Sequence, residues 1–171
     1  MTYIANLACK RSSWFMLMLS AFTLEVTALI FQYQMDLAPC IMCIYQRTAV
    51  LGIFIAGLIG LTNPNNTLIR ISAYVIWSIS TIWGYFLAVE HIDMQTTTDV
   101  FAYTCGIVPN FPSFMPLHEW IPIFFSAPGD CGEISWQFLD LSMPVWMKII
   151  FSIYSVTLIT IISSNLFKKR I

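Results

Sequence analysis

Four long apolar runs constrain this chain more than any other feature. Residues 14–33, 44–62, 71–89 and 145–164 each approach the roughly 20 residues a helix needs to cross a hydrocarbon core about 30 Å thick. Inside lipid every backbone N–H and C=O must be satisfied within the protein, so such segments span as α-helices. Charged residues make up 10% of the chain, against roughly 25% in a soluble domain. The expected fold is therefore an all-α membrane protein. It is a four-transmembrane-helix bundle, with residues 1–171 as a single integral membrane domain. The first run is too long for the core of a cleavable signal peptide and lacks a small-residue cleavage site, so it should remain as a helix. A net charge of −1 gives no reason to expect nucleic acid as a partner.

Charge distribution orients the bundle. Four spans put both termini on one side. That side holds Lys10, Arg11, Arg70, Lys168, Lys169 and Arg170, and basic residues concentrate in the cytoplasm. The loop at about 34–43 and the long loop at about 90–144 then face outward. The long loop holds six of the eight prolines, which argues for irregular structure. Within it, Pro116 to Phe125 reads as a short aromatic surface helix that lies at the membrane boundary rather than crossing it.

The five cysteines fit this topology. Cys40, Cys43, Cys105 and Cys131 face outside, where disulfides persist, and Cys9 alone falls inside. Cys40 and Cys43 have C-x-x-C spacing at the mouth of the second span. That spacing brings two sulfurs to one side of a turn. The free N–H groups and dipole of a helix N-terminus favour a thiolate. Arg47 follows one turn after Cys43 on the same face. A zinc site would need four ligands, which Cys105, Cys131, His91 and His118 could only complete from a distance. A c-type haem needs His directly after the second cysteine, and Ile44 stands there. A dithiol that cycles with its disulfide is the better reading, with no metal.

A C-x-x-C bridge closes too little chain to act as a staple. Cys105 and Cys131 have glycine neighbours, Gly106, Gly129 and Gly132, which would leave the sulfurs open to in-line thiol–disulfide exchange. Two outer pairs suggest a relay. One pair would meet a soluble protein thiol, and the other a two-electron acceptor in the lipid. No dinucleotide or haem motif is present, and a membrane quinone fits as that acceptor. Its carbonyls would be held by Arg47 and His91, which lie at matching depth. The plainer readings are a snorkelling arginine and an interfacial histidine. Glu25 interrupts the first span. It is either a proton path or partner for Arg47, or a protonated carboxyl bonded to polar groups such as Thr27 or Ser78.

At these residues the sequence resembles the DsbB family, the inner-membrane disulfide-forming oxidoreductases. The match runs through Leu24-Glu25-Val26-Thr27-Ala28-Leu29 with Phe31-Gln32, then Pro39-Cys40-x-x-Cys43-Ile44-Tyr45-x-Arg47, Glu90-His91 and Cys105. It continues through Pro116-Leu117, Trp120 with Pro122, Gly129-Asp130-Cys131 and Met143-Pro144. The resemblance implies a protein-disulfide oxidoreductase of the bacterial inner membrane, with both termini cytoplasmic and its redox loops periplasmic. It implies that the periplasmic thiol oxidase DsbA attacks a Cys105–Cys131 disulfide at Cys105. Cys131 then exchanges with the Cys40–Cys43 pair, and Cys43 donates to ubiquinone, or to menaquinone without oxygen. Arg47 and His91 are the implied quinone-site residues. Two rivals stand beside this reading: a paralogue oxidising a dedicated partner, and a non-catalytic four-span scaffold with a disulfide-stapled outer loop.

Overall fold

The computed structural model describes residues 7–97, 109–111, 113 and 116–167. Cys105 and the basic cluster Lys168, Lys169 and Arg170 lie outside the described residues. Among the described residues, four helices are long and apolar enough to cross a membrane. They are α1 (Arg11–Gln34), α2 (Ile41–Thr62), α3 (Thr67–Thr96) and α6 (Met143–Phe167). Between α3 and α6 come α4 (Leu117–Trp120), α5 (Pro122–Phe125) and a hairpin of β1 (Gln137–Phe138) with β2 (Leu141–Ser142).

The helices overrun the apolar runs, at both ends in α1, α3 and α6 and at the start in α2, because an apolar run marks lipid rather than helix. The largest difference is in α3. It continues through the polar residues after Val89 to Thr96, where the Thr97 N–H and the Thr96 and Thr97 hydroxyls all bond to the Asp93 carbonyl. His91 therefore sits on a helix, one turn and more from its end. Helix α2 begins at Ile41, directly after Cys40, so Cys43 falls in its first turn. Helix α6 opens with Pro144 in its first turn, where a missing N–H costs nothing.

Where one short surface helix is expected over Pro116–Phe125, the chain forms two four-residue helical pieces. The break falls at Ile121, because the residue before a proline is disfavoured in helical geometry. Trp120, Ile121 and Ile123 are exposed, and Phe125 is buried.

Helix α2 packs against α1 and α3, and α3 packs against α6. The core between them includes Trp14, Ala21, Ile53, Ala73, Trp77 and Phe151. Glycines allow the close crossings. A Cβ at Gly57 would strike the Met18 backbone, and one at Gly60 would strike the Trp14 ring. Such small-residue contacts drive helix association where lipid offers no hydrophobic advantage. Large apolar side chains, among them Phe22, Ile79, Phe86 and Ile159, point outward, as a lipid-facing surface requires. Helices α1 and α6 are bridged by a hydrogen bond between Ser20 Oγ and Tyr154 Oη at 2.9 Å.

Candidate active site

Cys40 is the N-cap residue of α2. Its backbone is extended, and its Sγ accepts the Cys43 N–H at 3.3 Å. A cysteine sulfur thus occupies the position that a Ser or Asp oxygen takes in an ordinary cap. The helix then turns Cys43 back over Cys40. The two sulfurs lie 2.8 Å apart with no bond between them. Cys40 is 3% exposed, and Cys43 is half-buried. The Cys40 thiol is held well above the ordinary thiol range, first by its hydrogen bond to Cys43 and then by burial. Cys40 is therefore the sulfur that keeps its proton.

His91 reaches this pair from α3. Its Nε2 lies 3.6 Å from Cys40 Sγ, and its Nδ1 lies 3.2 Å from Gln46 Nε2. An amide nitrogen only donates, so Nδ1 accepts and the ring proton sits on Nε2, facing the sulfur. The main chain of Cys131 meets the same ring.

Arg47 is buried one turn below Cys43. Its Nη1 donates to Gln32 Oε1 and to the Phe124 carbonyl, both at 2.9 Å, and its Nη2 reaches the Ala28 carbonyl at 3.5 Å. The guanidinium also lies over the Phe124 ring, 5.3 Å from its centroid. One cation thus ties α1, α2 and α5 together, which a side chain snorkelling to headgroups would not do.

The segment bearing Cys131 is stitched to the cysteine motif. The Gly129 N–H donates to the Pro39 carbonyl at 3.0 Å, and Gly129 pairs with Cys40 in a parallel bridge. A Cβ at Gly129 would collide with the Ala38 carbonyl oxygen, so only glycine allows the approach. Cys131 is disulfide-bonded and 1% exposed, and it packs in one apolar cluster with Cys40, Ile44 and Phe125. Its glycine neighbours therefore do not open this sulfur to solvent. Gly129 instead lets the chain press against Pro39 and Cys40.

A cavity of about 300 Å³ runs from the cysteines into the bundle. Glu25, Cys40, Cys43, Arg47 and His91 line it, together with apolar side chains of α1 and α6. Glu25 is 7% exposed, and neither carboxyl oxygen has a hydrogen-bond partner. Thr27 and Ser78 donate to backbone carbonyls of their own helices, Thr23 and Tyr74, and do not bond to it.

Comparison with known proteins decides the family. The model for disulfide bond formation protein DsbB matches residues 10–161. The chain belongs to the DsbB family. It is 56% identical to a disulfide bond formation protein B of Pseudoalteromonas translucida (strain TAC 125), over 99% of both chains. It is 51% identical to one of Pseudoalteromonas atlantica, again over 99% of both. For one of Psychromonas ingrahamii the identity is 46%, over 99% of this chain and 91% of the relative. As a member of the DsbB family it is a multi-pass membrane protein and a disulfide oxidoreductase, which sets aside the non-catalytic scaffold.

The ligand atoms of Cys40, Cys43 and His91 all lie within 4.8 Å of one another, so the zinc alternative meets a geometric test. Two thiolates on tetrahedral zinc, each at about 2.3 Å, would stand about 3.8 Å apart. The sulfurs here are closer, Cys131 is bound in a disulfide, and His118 lies against Glu119 and Phe111. The arrangement suits sulfur–sulfur chemistry, as expected of a DsbB-family protein. Sequence reasoning brought Cys40, Cys43, Arg47 and His91 to one place. It gave no role to Gln46, although the i+3 spacing from Cys43 was a signal that this amide faces the site.

Proposed function

We propose that this protein reoxidises a DsbA-like periplasmic thiol oxidase and passes the electrons to membrane quinone, sustaining disulfide formation in periplasmic proteins. The observation that carries the reading is the burial of disulfide-bonded Cys131 in one cluster with Cys40, against an unbonded Cys40–Cys43 pair. A disulfide packed on a dithiol needs little motion to exchange with it. In this reading Cys131 pairs with Cys105, and the partner's thiolate attacks Cys105. The freed Cys131 then attacks the inner pair in its Cys40–Cys43 disulfide form, leaving the outer disulfide restored and the inner pair as the dithiol described here, and Cys43 is the sulfur that meets the acceptor. The redox loops face the periplasm and both termini face the cytoplasm of the bacterial inner membrane, in line with the basic residues at one end of the spans.

The residues present fit ubiquinone, or menaquinone in its place. The cavity has the size of a small ligand pocket and largely apolar walls. Arg47, fixed by three hydrogen bonds, supplies a rigid cation beside Cys43. The His91 ring lines the same space. A bound quinone supplies a two-electron, two-proton sink. His91 Nε2–H steadies negative charge on Cys40 as its proton leaves. Arg47 orients the acceptor and balances charge at Cys43, and the apolar walls exclude water that would stray into exchange. A sink is needed, because DsbA sits near about −120 mV while stable structural disulfides fall below about −300 mV.

The test is loss of quinone absorbance in detergent-solubilised protein supplied with reduced DsbA and ubiquinone, comparing wild type with Cys105→Ser. Stoichiometric reduction that requires both DsbA and Cys105 supports the relay. No reduction by folded wild type with either quinone rules it out.

A further inference from the structure

Among the polar groups lining the cavity that the relay leaves idle, Glu25 is the carboxyl carried in the body of a spanning helix, while Asp130 and Glu133 belong to the segment around Cys131. Glu25 lies in the body of α1, below Ala28 and Gln32 on the same helix, whose oxygens accept from Arg47. Seven residues of helix put Glu25 about 10 Å deeper than Gln32. The cysteines thus lie at the outer end of the cavity and the carboxyl at its inner end. Both carboxyl oxygens are buried without a hydrogen bond, and among the described residues Glu25 forms no ion pair. An unpaired carboxylate at this depth is costly, and an orphaned acid also loses its hydrogen bonds to water. Such a group is retained where something else completes it.

The neighbouring groups narrow down what that is. The Arg47 guanidinium does not release a proton. The Nε2 proton of His91 faces Cys40. The thiols lie at the other end. Glu25 is the side chain at the inner end that can give a proton and take one back.

We propose that Glu25 is the proton donor to the quinone oxygen at the inner end of the cavity, an inference that rests on the quinone reading above. The balance closes. Oxidation of the Cys40–Cys43 dithiol to the disulfide releases two electrons and two protons, and reduction of a quinone to a quinol takes up two of each. Glu25 gives its carboxyl proton to one quinone oxygen. One thiol proton goes to the other oxygen, the second is released as the disulfide closes, and Glu25 regains an equivalent proton before the next turnover, so two electrons and two protons are conserved. Arg47, which lines the same cavity, offsets the charge of the carboxylate while it lasts without pairing to it directly.

Three measurements on Glu25→Gln and Glu25→Asp test this, with exchange of the Cys131 disulfide against a small dithiol as the control for folding. In a Cys40→Ser/Cys43→Ser background, where no turnover occurs, infrared difference spectra should show a neutral carboxyl band that shifts on adding ubiquinone. That band should be missing in Glu25→Gln. In proteins with intact cysteines, single-turnover quinol formation should slow about a hundredfold in Glu25→Gln, within the range of general acid catalysis, and recover partly in Glu25→Asp. Ubiquinone affinity should change less than threefold. A band that ignores ubiquinone, a Glu25→Gln rate within threefold of wild type, or a loss that lies wholly in affinity would each overturn the role. Wild type that reduces no quinone would overturn the quinone reading, and this inference with it. A fast wild type beside an equally fast Glu25→Gln would overturn this inference alone.

Discussion

Gln46 donates through Nε2 to Nδ1 of His91 across 3.2 Å, and that bond favours the tautomer whose Nε2 presents a proton to Cys40. Both side chains are buried, so water does not compete for the ring. Removing the amide should free the ring to adopt the other tautomer, leaving a bare lone pair toward the sulfur. In Gln46→Ala, nitrogen NMR of labelled His91 should report a mixture of tautomers in place of one. Closure of the Cys40–Cys43 disulfide should slow roughly tenfold, the scale of one buried hydrogen bond. A single unchanged tautomer in that variant would show that the amide does not set it.

Arg47 ties three elements together, through Gln32 and Ala28 on α1 and the Phe124 carbonyl of α5. Arg47→Ala should therefore do two separable things. Quinone KM should rise at least tenfold while the KM for the reduced partner stays within about threefold. The melting temperature should also fall, because buried acceptors left without a donor cost about 1–3 kcal/mol each. Arg47→Lys should recover only part of both, since an ammonium cannot reproduce the planar fork. Steady-state kinetics with each substrate varied in turn separates the effects. A KM for quinone equal to that of wild type would remove Arg47 from the acceptor site.

Gly129 holds the Cys131 segment against Pro39 and Cys40. Gly129→Ala places a Cβ on the Ala38 carbonyl oxygen, so the segment must move away. Electron passage between the two cysteine pairs should slow at least tenfold. Quinone affinity should fall less than the transfer rate, because Arg47 keeps its bonds to Gln32 and Phe124 while the Asp130 side of the cavity shifts. Rapid acid quenching followed by thiol labelling would time the step. Transfer at the wild-type rate would mean that the bridge between Gly129 and Cys40 does not position the relay.

These relationships show where sequence reading stops. Four spans were legible because lipid admits few alternatives, and the C-x-x-C was legible because a helical turn brings its members together. Arg47 was placed beside Cys43 by helical periodicity alone. His91 was placed at the right depth, yet its bond to Gln46 joins residues on different helices, and no local pattern encodes such a contact. Gly129 and Gly132 were read as exposing Cys131, since glycine beside a reactive group suits either access or close backbone approach. The pairing of Gly129 with Cys40 shows the second for that glycine. Glu25 was weighed between idle and functional. Only the packing reveals that the nearby hydroxyls of Thr27 and Ser78 bond to their own helices and leave the carboxyl alone.

The inner pair is asymmetric, and alkylation should expose it. Cys40 is 3% exposed, and its thiol is held above the ordinary range by the bond to Cys43 and by burial. A raised value keeps the neutral thiol at neutral and mildly alkaline pH, and the neutral thiol is not the nucleophile. Cys43 is half-buried and lines the cavity. Brief iodoacetamide treatment of the reduced protein at neutral pH should therefore modify Cys43 at least tenfold faster than Cys40, as read from peptide masses. In Cys43→Ser the larger of the two restraints on Cys40 is weakened and burial remains. Its alkylation should then quicken while staying slower than that of Cys43 in wild type. Equal labelling of the two thiols in the reduced wild-type protein would contradict the division in which Cys40 keeps the proton and Cys43 meets the acceptor.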